Sequence, residues 1–305
     1  MYLITLVLTW LVIQVWGGVS VIQRDDLQHR WFQLFFKYIP NGLPSTVSNV
    51  LALLLPVLLL VFILSLLGDS LASIPMFFLT LTVLLFALGR GDVMSRLHAF
   101  CFSINDEETS VIVAAKRYYG LEAEPDHLAI KIYQRVAYQL YERWFAVVLW
   151  FLIVGAPGAL FYRICQCASD AKTTDASPSM LEAITVSESQ DQQTFYLSLR
   201  EDAGLIMAIM DWLPARLWVL ILGVASYFGT SLELLSARFF DRISARKLFT
   251  EFFLAELTAA QRAGDAVDLS VGRVIQKKVK AIEQISQRAM LCALIFFLAI
   301  LLLTS

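Results

Sequence analysis

From Val47 to Leu67 the chain carries no charged side chain, and no other feature limits its fold so strongly. About 20 apolar residues, rising about 1.5 Å each as a helix, cross the hydrocarbon of a bilayer. Pro56 is the only breaker inside the run, and neighbouring helices can absorb a proline there. After the turn residues Gly68, Asp69 and Ser70, a second uncharged run extends from Leu71 to Gly89. The pair predicts a transmembrane hairpin. The whole sequence follows suit, with 58% hydrophobic and 16% charged residues and a mean hydropathy of +0.67. A soluble domain has about 45–50% and about 25% of these.

The same criterion marks spans at 1–22, 47–67, 71–89, 145–163, 212–232 and 286–304. The polar regions between them, 90–143, 164–210 and 233–285, are read as helical, cytosolic or interfacial, with loop in the first half of the second. Within Ile130–Trp144, apolar side chains recur at Ile132, Val136, Leu140 and Trp144, the four-residue spacing of an amphipathic helix. The fold class is therefore all-α, one polytopic transmembrane helical domain over 1–305 with amphipathic cytosolic or interfacial helices. No Lys or Arg precedes Arg24, so the basic start of a cleavable signal is missing and the first segment is expected to stay as an anchor.

Charge gives the orientation. Basic residues near span ends favour the cytoplasmic side. With the N-terminus outside, the loops holding Arg24–Lys37, Arg90–Arg143 and Glu233–Gln287 all lie inside. Region 164–210, with Lys172 and Arg200 against seven acids, lies outside. The basic stripe Arg273–Lys280 runs into the last span and suits the anionic leaflet. No aromatic residue interleaves those charges, so nucleic acid is not an expected partner; membrane lipid is.

Chemistry is sparse. Phosphate loops, zinc spacings and a nucleophile elbow are absent from the sequence. His29, His98 and His127 are scattered, and the four cysteines exclude a disulfide scaffold. Asn105–Ser110 (NDEETS) clusters Asp106, Glu107 and Glu108 near a helix start. Acids there stabilise the helix dipole, or they could hold a divalent cation together with substrate phosphates. Uncharged runs 47–67 and 71–89 argue against an ion-coupled transporter.

Two stretches carry more. GAPGALFYR, Gly155–Arg163, crowds small residues at a span end before Tyr162 and Arg163. Small residues permit close helix packing, and the Tyr–Arg pair suits an interfacial anchor. MDWLPAR, Met210–Arg216, sets Asp211 and Arg216 on either side of Pro214 at the entry to a span. Capping by Asp211, with proline in the first turn, explains the composition. An ion pair or anion site, with Arg216 as the recognising group, is the sharper alternative.

These two stretches resemble the CobD/CbiB-like membrane family of cobinamide-phosphate synthases, and more closely its AmpE branch. The resemblance is strongest at 145–163 and 207–223. The Asn-Thr-Leu-Asp-like segment of the synthases is replaced after Arg163 by ICQCASDA, and their Ser-Pro-Asn-Ala-Gly-like segment near the C-terminus is missing. AmpE proteins look similar in both respects and share the NDEET-like start. What the resemblance implies is a multi-pass protein of the bacterial inner membrane, an accessory or signalling component in β-lactamase induction and cell-wall recycling. It would work beside a soluble cell-wall amidase or another membrane protein, without a cofactor. The alternative is a CobD/CbiB-like ligase acting on a phosphorylated or nucleotide-activated substrate, with ATP and Mg²⁺ and with Arg163, Asp211 and Arg216 around an acid cluster.

Overall fold

The computed structural model describes residues 4–9, 26–38, 43–68, 73–88, 93–104, 107–120, 125–169, 190–226, 228–241, 244–263 and 271–304. Among the described residues every regular element is helical. They fall into two compact units, one built from 1–91 with 146–210 and the other from 92–145 with 211–305.

The first unit holds α1 (Asp26–Tyr38), α2 (Ser45–Gly68), α3 (Ser73–Ala87), α7 (Ala146–Val154), α8 (Ala156–Ser169) and α9 (Gln190–Met210). Helix α2 is apolar all round, and Pro56 sits inside it without ending it. Only 22% of its Ser45–Leu67 stretch is covered by protein, and Leu58, Leu59, Phe62 and Leu66 point outward. A helix apolar on every face needs either a protein core or lipid around it. Here most of that surface has no protein over it. Helices α2, α8 and α9 pack on one another, and α1 joins through Trp31, whose Nε1 donates to the Ala52 carbonyl at 2.9 Å. Buried Asn49 donates through Nδ2 to Asp202 Oδ2 at 2.8 Å and Ser198 Oγ at 3.1 Å, which pins α2 to α9.

The second unit holds α4 (Val93–Ser103), α5 (Glu108–Tyr119), α6 (Pro125–Leu140), a π-turn (Tyr141–Phe145), α10 (Trp212–Ala225), α11 (Phe228–Arg238), α12 (Ala245–Ala263) and α13 (Val271–Thr304). Its aromatic core joins Phe145 to Trp218 at 4.9 Å and to Phe297 at 5.3 Å, and Tyr141 to Phe249 at 5.0 Å. Helix α5 ends at Gly120, whose φ of 59° is the left-handed cap that glycine adopts without a Cβ clash. Helices α10 and α11 cross closely. A Cβ on Gly223 would fall 2.0 Å from Ser231 Oγ, and that hydroxyl donates to the Val219 carbonyl at 3.0 Å.

By length and composition three described helical stretches could cross a bilayer: Ser45–Leu67, Arg135–Val154 and Glu283–Ile300. Gln190–Met210 with Trp212–Ala225 makes a fourth if the pair counts as one broken span, and Ile74–Ala87 is apolar but shorter. Of the expected span 1–22, residues 4–9 are described and are helical; the rest lies outside the described residues. The expected 145–163 span is divided: its apolar helix begins earlier, runs through the π-turn, and stops at Gly155. That glycine has φ 82°, a conformation other L-residues rarely adopt, and so the run cannot continue straight. The expected 212–232 span is likewise divided, between α10 and α11.

Candidate functional site

The sequence singles out Asp211 as the cap of α10. Its backbone is helical, φ −78° and ψ −14°, and its side chain makes no cap hydrogen bond. An N-cap needs the extended region to aim its side chain at the first N–H groups, so the carboxylate is turned elsewhere. It is taken up by the π-turn. Tyr141 Oη donates to Asp211 Oδ1 at 2.8 Å, and Tyr138 Oη reaches Oδ2 at 3.5 Å. Asp211 is 7% exposed and Tyr141 fully buried. A carboxylate removed from water needs such donors to offset its lost hydration.

The backbone explains why both phenols arrive. Tyr138 and Tyr141 are three residues apart, one helical turn, and the wider π-turn begins at the second of them. Such turns interrupt the i to i−4 ladder and concentrate at functional sites. Glu142 is buried in the same turn. Arg246 of α12 lies over the Tyr138 ring at 4.4 Å from its centroid. The cluster thus unites a carboxylate, two phenols and a cation from α6, the π-turn, α10 and α12.

Arg216 plays a different part. It is 2% exposed, and its guanidinium donates to three carbonyls: Nε to Phe239 at 2.5 Å, Nη1 to Trp212 at 2.6 Å and Nη2 to Asp241 at 2.7 Å. The cation also stacks on the Trp212 ring at 4.5 Å. Phe239 and Asp241 follow the end of α11, where carbonyls lack helical partners and a cation is favoured. Among the described residues the guanidinium bonds to these carbonyls and not to Asp211, so the two flanks of Pro214 do not make the ion pair. Pro214, buried in the first turn of α10, removes an N–H that has no intrahelical acceptor there. Outside this core, Arg238 donates to Asp241 at 3.0 Å and meets Glu251 at 3.6 Å. These two carboxylates hold its guanidinium above the ordinary value, Asp241 first.

The second motif lies in the first unit. Gly155 ends α7 with its positive φ. A Cβ at Gly158 would fall 2.7 Å from the Trp150 carbonyl and 2.6 Å from Val154 Cβ. The order Gly-Ala-Pro-Gly is therefore a backbone device that breaks one apolar helix and starts the next against it. Expected as interfacial anchors, Tyr162 and Arg163 are instead 0% and 5% exposed. They lie on α8, which packs against α2, α3, α7 and α9. Arg163 Nη1 donates to Gln166 Oε1 at 2.7 Å. Glu107 is exposed and precedes α5 without a side-chain cap bond; Asn105, Asp106 and the Glu108 side chain lie outside the described residues, as do the side chains of Arg273–Lys278. Among the described residues no His, Cys, Asp and Glu group has metal-binding geometry.

The structure thus brings together Asp211, Pro214 and Arg216 and adds Tyr138, Tyr141 and Arg246, which sequence reasoning missed. The only signal for the two tyrosines was Tyr-x-x-Tyr in an amphipathic helix, a spacing shared with any aromatic core stripe, and Arg246 had none beyond its place in a basic region. No family model, curated protein or solved structure matches the chain.

Proposed function

We propose that the chain is a multi-pass protein of the bacterial inner membrane, an accessory or signalling component of the AmpE type in β-lactamase induction and cell-wall recycling, with the Asp211 cluster as its working centre. The observation that carries the choice of centre is the buried Asp211 carboxylate, held by Tyr141 at the start of the apolar helix α10. Ionisable groups are costly in apolar helices and mark function there. A helix start joined by hydrogen bonds to a π-turn can adopt a second arrangement when those bonds change. The uncovered apolar faces of Ser45–Leu67 and Glu283–Ile300 support the lipid setting.

The ligase alternative requires Arg163 and Arg216 to meet substrate phosphates. Both are buried and hydrogen-bonded within the protein, which favours the regulatory role. The test is Asp211→Asn together with Tyr141→Phe in cells whose β-lactamase induction depends on this protein. Loss of induction at unchanged protein level supports the proposal, and normal induction in both variants rejects the centre. Mg²⁺-dependent ATP hydrolysis by the purified wild type, lost in Asp211→Asn, would restore the ligase.

A further inference from the structure

We infer that α10 and α11 form a re-entrant hairpin, which enters one leaflet of the bilayer and returns to the face it came from. Its partner is the lipid of that leaflet. The inference rests on the membrane setting proposed above and goes beyond it, since a span over 212–232 would leave on the far side. Direction is the first observation. A Cβ on Gly223 would meet Ser231 and lie 3.6 Å from the Phe228 Cα, and the Ser231 hydroxyl donates to the Val219 carbonyl. Further back, the Trp212 and Phe239 rings meet at 5.7 Å, and Arg216 reaches the carbonyls of Phe239 and Asp241. Later residues of α11 thus pair with earlier residues of α10. The two helices are antiparallel, and the open ends of the hairpin lie together.

Depth is the second observation. Leu217 to Leu232 carries no charge, and Arg216 and Glu233 are the first charges met on the two legs. From Leu217 to Ala225, α10 rises about 13 Å. One leaflet offers about 15 Å of hydrocarbon, half of what a crossing helix must span. At the closed end, Val224 and Phe228 are exposed. In the bend the Ser226 N–H donates to the Gly223 carbonyl at 3.2 Å and its hydroxyl to the Leu222 carbonyl at 2.9 Å, the internal pairing that lipid demands. The open end instead gathers Trp212 and Phe239 with the ion-paired Arg238, Asp241 and Glu251, the aromatic and charged composition of a membrane interface. Helix α10 also packs on α13, whose Glu283–Ile300 stretch is apolar and long enough to cross, so the hairpin lies beside a candidate span. On this reading the Asp211 cluster and the basic region 233–285 share a face of the membrane, where a span over 212–232 would separate them.

The experiment uses the full chain with Cys101, Cys165, Cys167 and Cys292 replaced by alanine. One cysteine is introduced at Leu213, Val224, Phe228 or Phe240, which are all exposed. A bimane on each is read in phosphatidylcholine vesicles carrying a nitroxide near the headgroup or near the chain end. Val224 and Phe228 are expected to be quenched more by the deep nitroxide, Leu213 and Phe240 more by the shallow one. In right-side-out and inside-out membrane vesicles, an impermeant maleimide is expected to label Leu213→Cys and Phe240→Cys from the same side. Labelling from opposite sides overturns the hairpin, and so does headgroup-level quenching at Val224 and Phe228. A bimane at Leu59 of α2, also exposed, separates the two readings. Deep quenching there with a water-accessible Val224 rejects the hairpin alone, and no lipid quenching at either position rejects the membrane setting as well. In the chain with its native cysteines, Val224→Arg is expected to lower the amount of membrane-inserted protein at least about tenfold, and Phe240→Arg to leave it unchanged. Equal amounts of the two variants overturn the proposal.

Discussion

The two motifs at Gly155–Arg163 and Met210–Arg216 look alike on paper: each joins small or proline residues at a helix break to an arginine. In the fold they solve different problems. The first works through the backbone, with the positive φ of Gly155 and the close approach of Gly158 to the Trp150 carbonyl. The second works through side chains. Arg216 gathers the carbonyls around the end of α11, and Asp211 is left to the phenols of Tyr138 and Tyr141. A similar composition therefore marks a hinge of shape in one unit and a polar, titratable centre in the other.

Removing Arg216 should have the largest effect. Arg216→Ala leaves buried carbonyls without donors and is expected to cost about 3 kcal/mol or more, read as loss of monodisperse protein in detergent. Arg216→Lys should recover only part, since an ammonium cannot span three diverging carbonyls as the planar fork does. Full recovery by lysine would show that charge alone is needed there and would erase the contrast with the first motif.

Gly158→Ala comes next, at about 1–3 kcal/mol, because the added methyl meets backbone as well as Val154 Cβ. Its measure is the unfolding midpoint, and an unchanged midpoint would mean that the first motif is not a backbone device. Tyr141→Phe is expected to cost about 1–2 kcal/mol while abolishing signalling. The disproportion between small stability loss and full functional loss separates the second motif from the first. A proportionate loss of both would make Tyr141 a packing residue.

The smallest effect concerns Cys101, in the second unit and outside the candidate spans. Burial, with Glu283 adding to it, pushes its thiol from about 9 up to about 11. The folded state thus holds this proton more tightly than the unfolded chain does. The stability it contributes is full below about pH 9 and declines as pH rises toward 11. With Cys165, Cys167 and Cys292 replaced by serine, maleimide labelling of Cys101 at pH 8 should accordingly be slow in folded protein and fast after unfolding; rapid labelling of the folded chain would place the thiol at the surface.

Tyr162 and Arg163 show why the site was only partly legible. An aromatic and an arginine at the end of an apolar run have the same composition whether they meet water or neighbouring helices. Only the packing of α8 decides, and it buries both. Asp211 was legible as a residue but not in its role. A cap and a phenol acceptor differ by a backbone angle that the local sequence does not encode.

Local sequence settled the helical class and the apolar helices, whereas the breaks inside the expected 145–163 and 212–232 spans came to light only in the structure. An uncharged run such as Val47–Leu67 must hydrogen-bond its own backbone, and a helix does this with neighbours four residues away. Glycine at 155 and proline at 214 act through their own covalent geometry. The tertiary structure alone decided which distant groups meet: Tyr141 with Asp211, 70 residues apart, Arg216 with the carbonyls of Phe239 and Asp241, and Asn49 with Asp202, 153 residues apart. Hydrogen bonds and buried charges depend on placement to within a few tenths of an ångström, and helical periodicity fixes a face but not the partner that comes to rest on it.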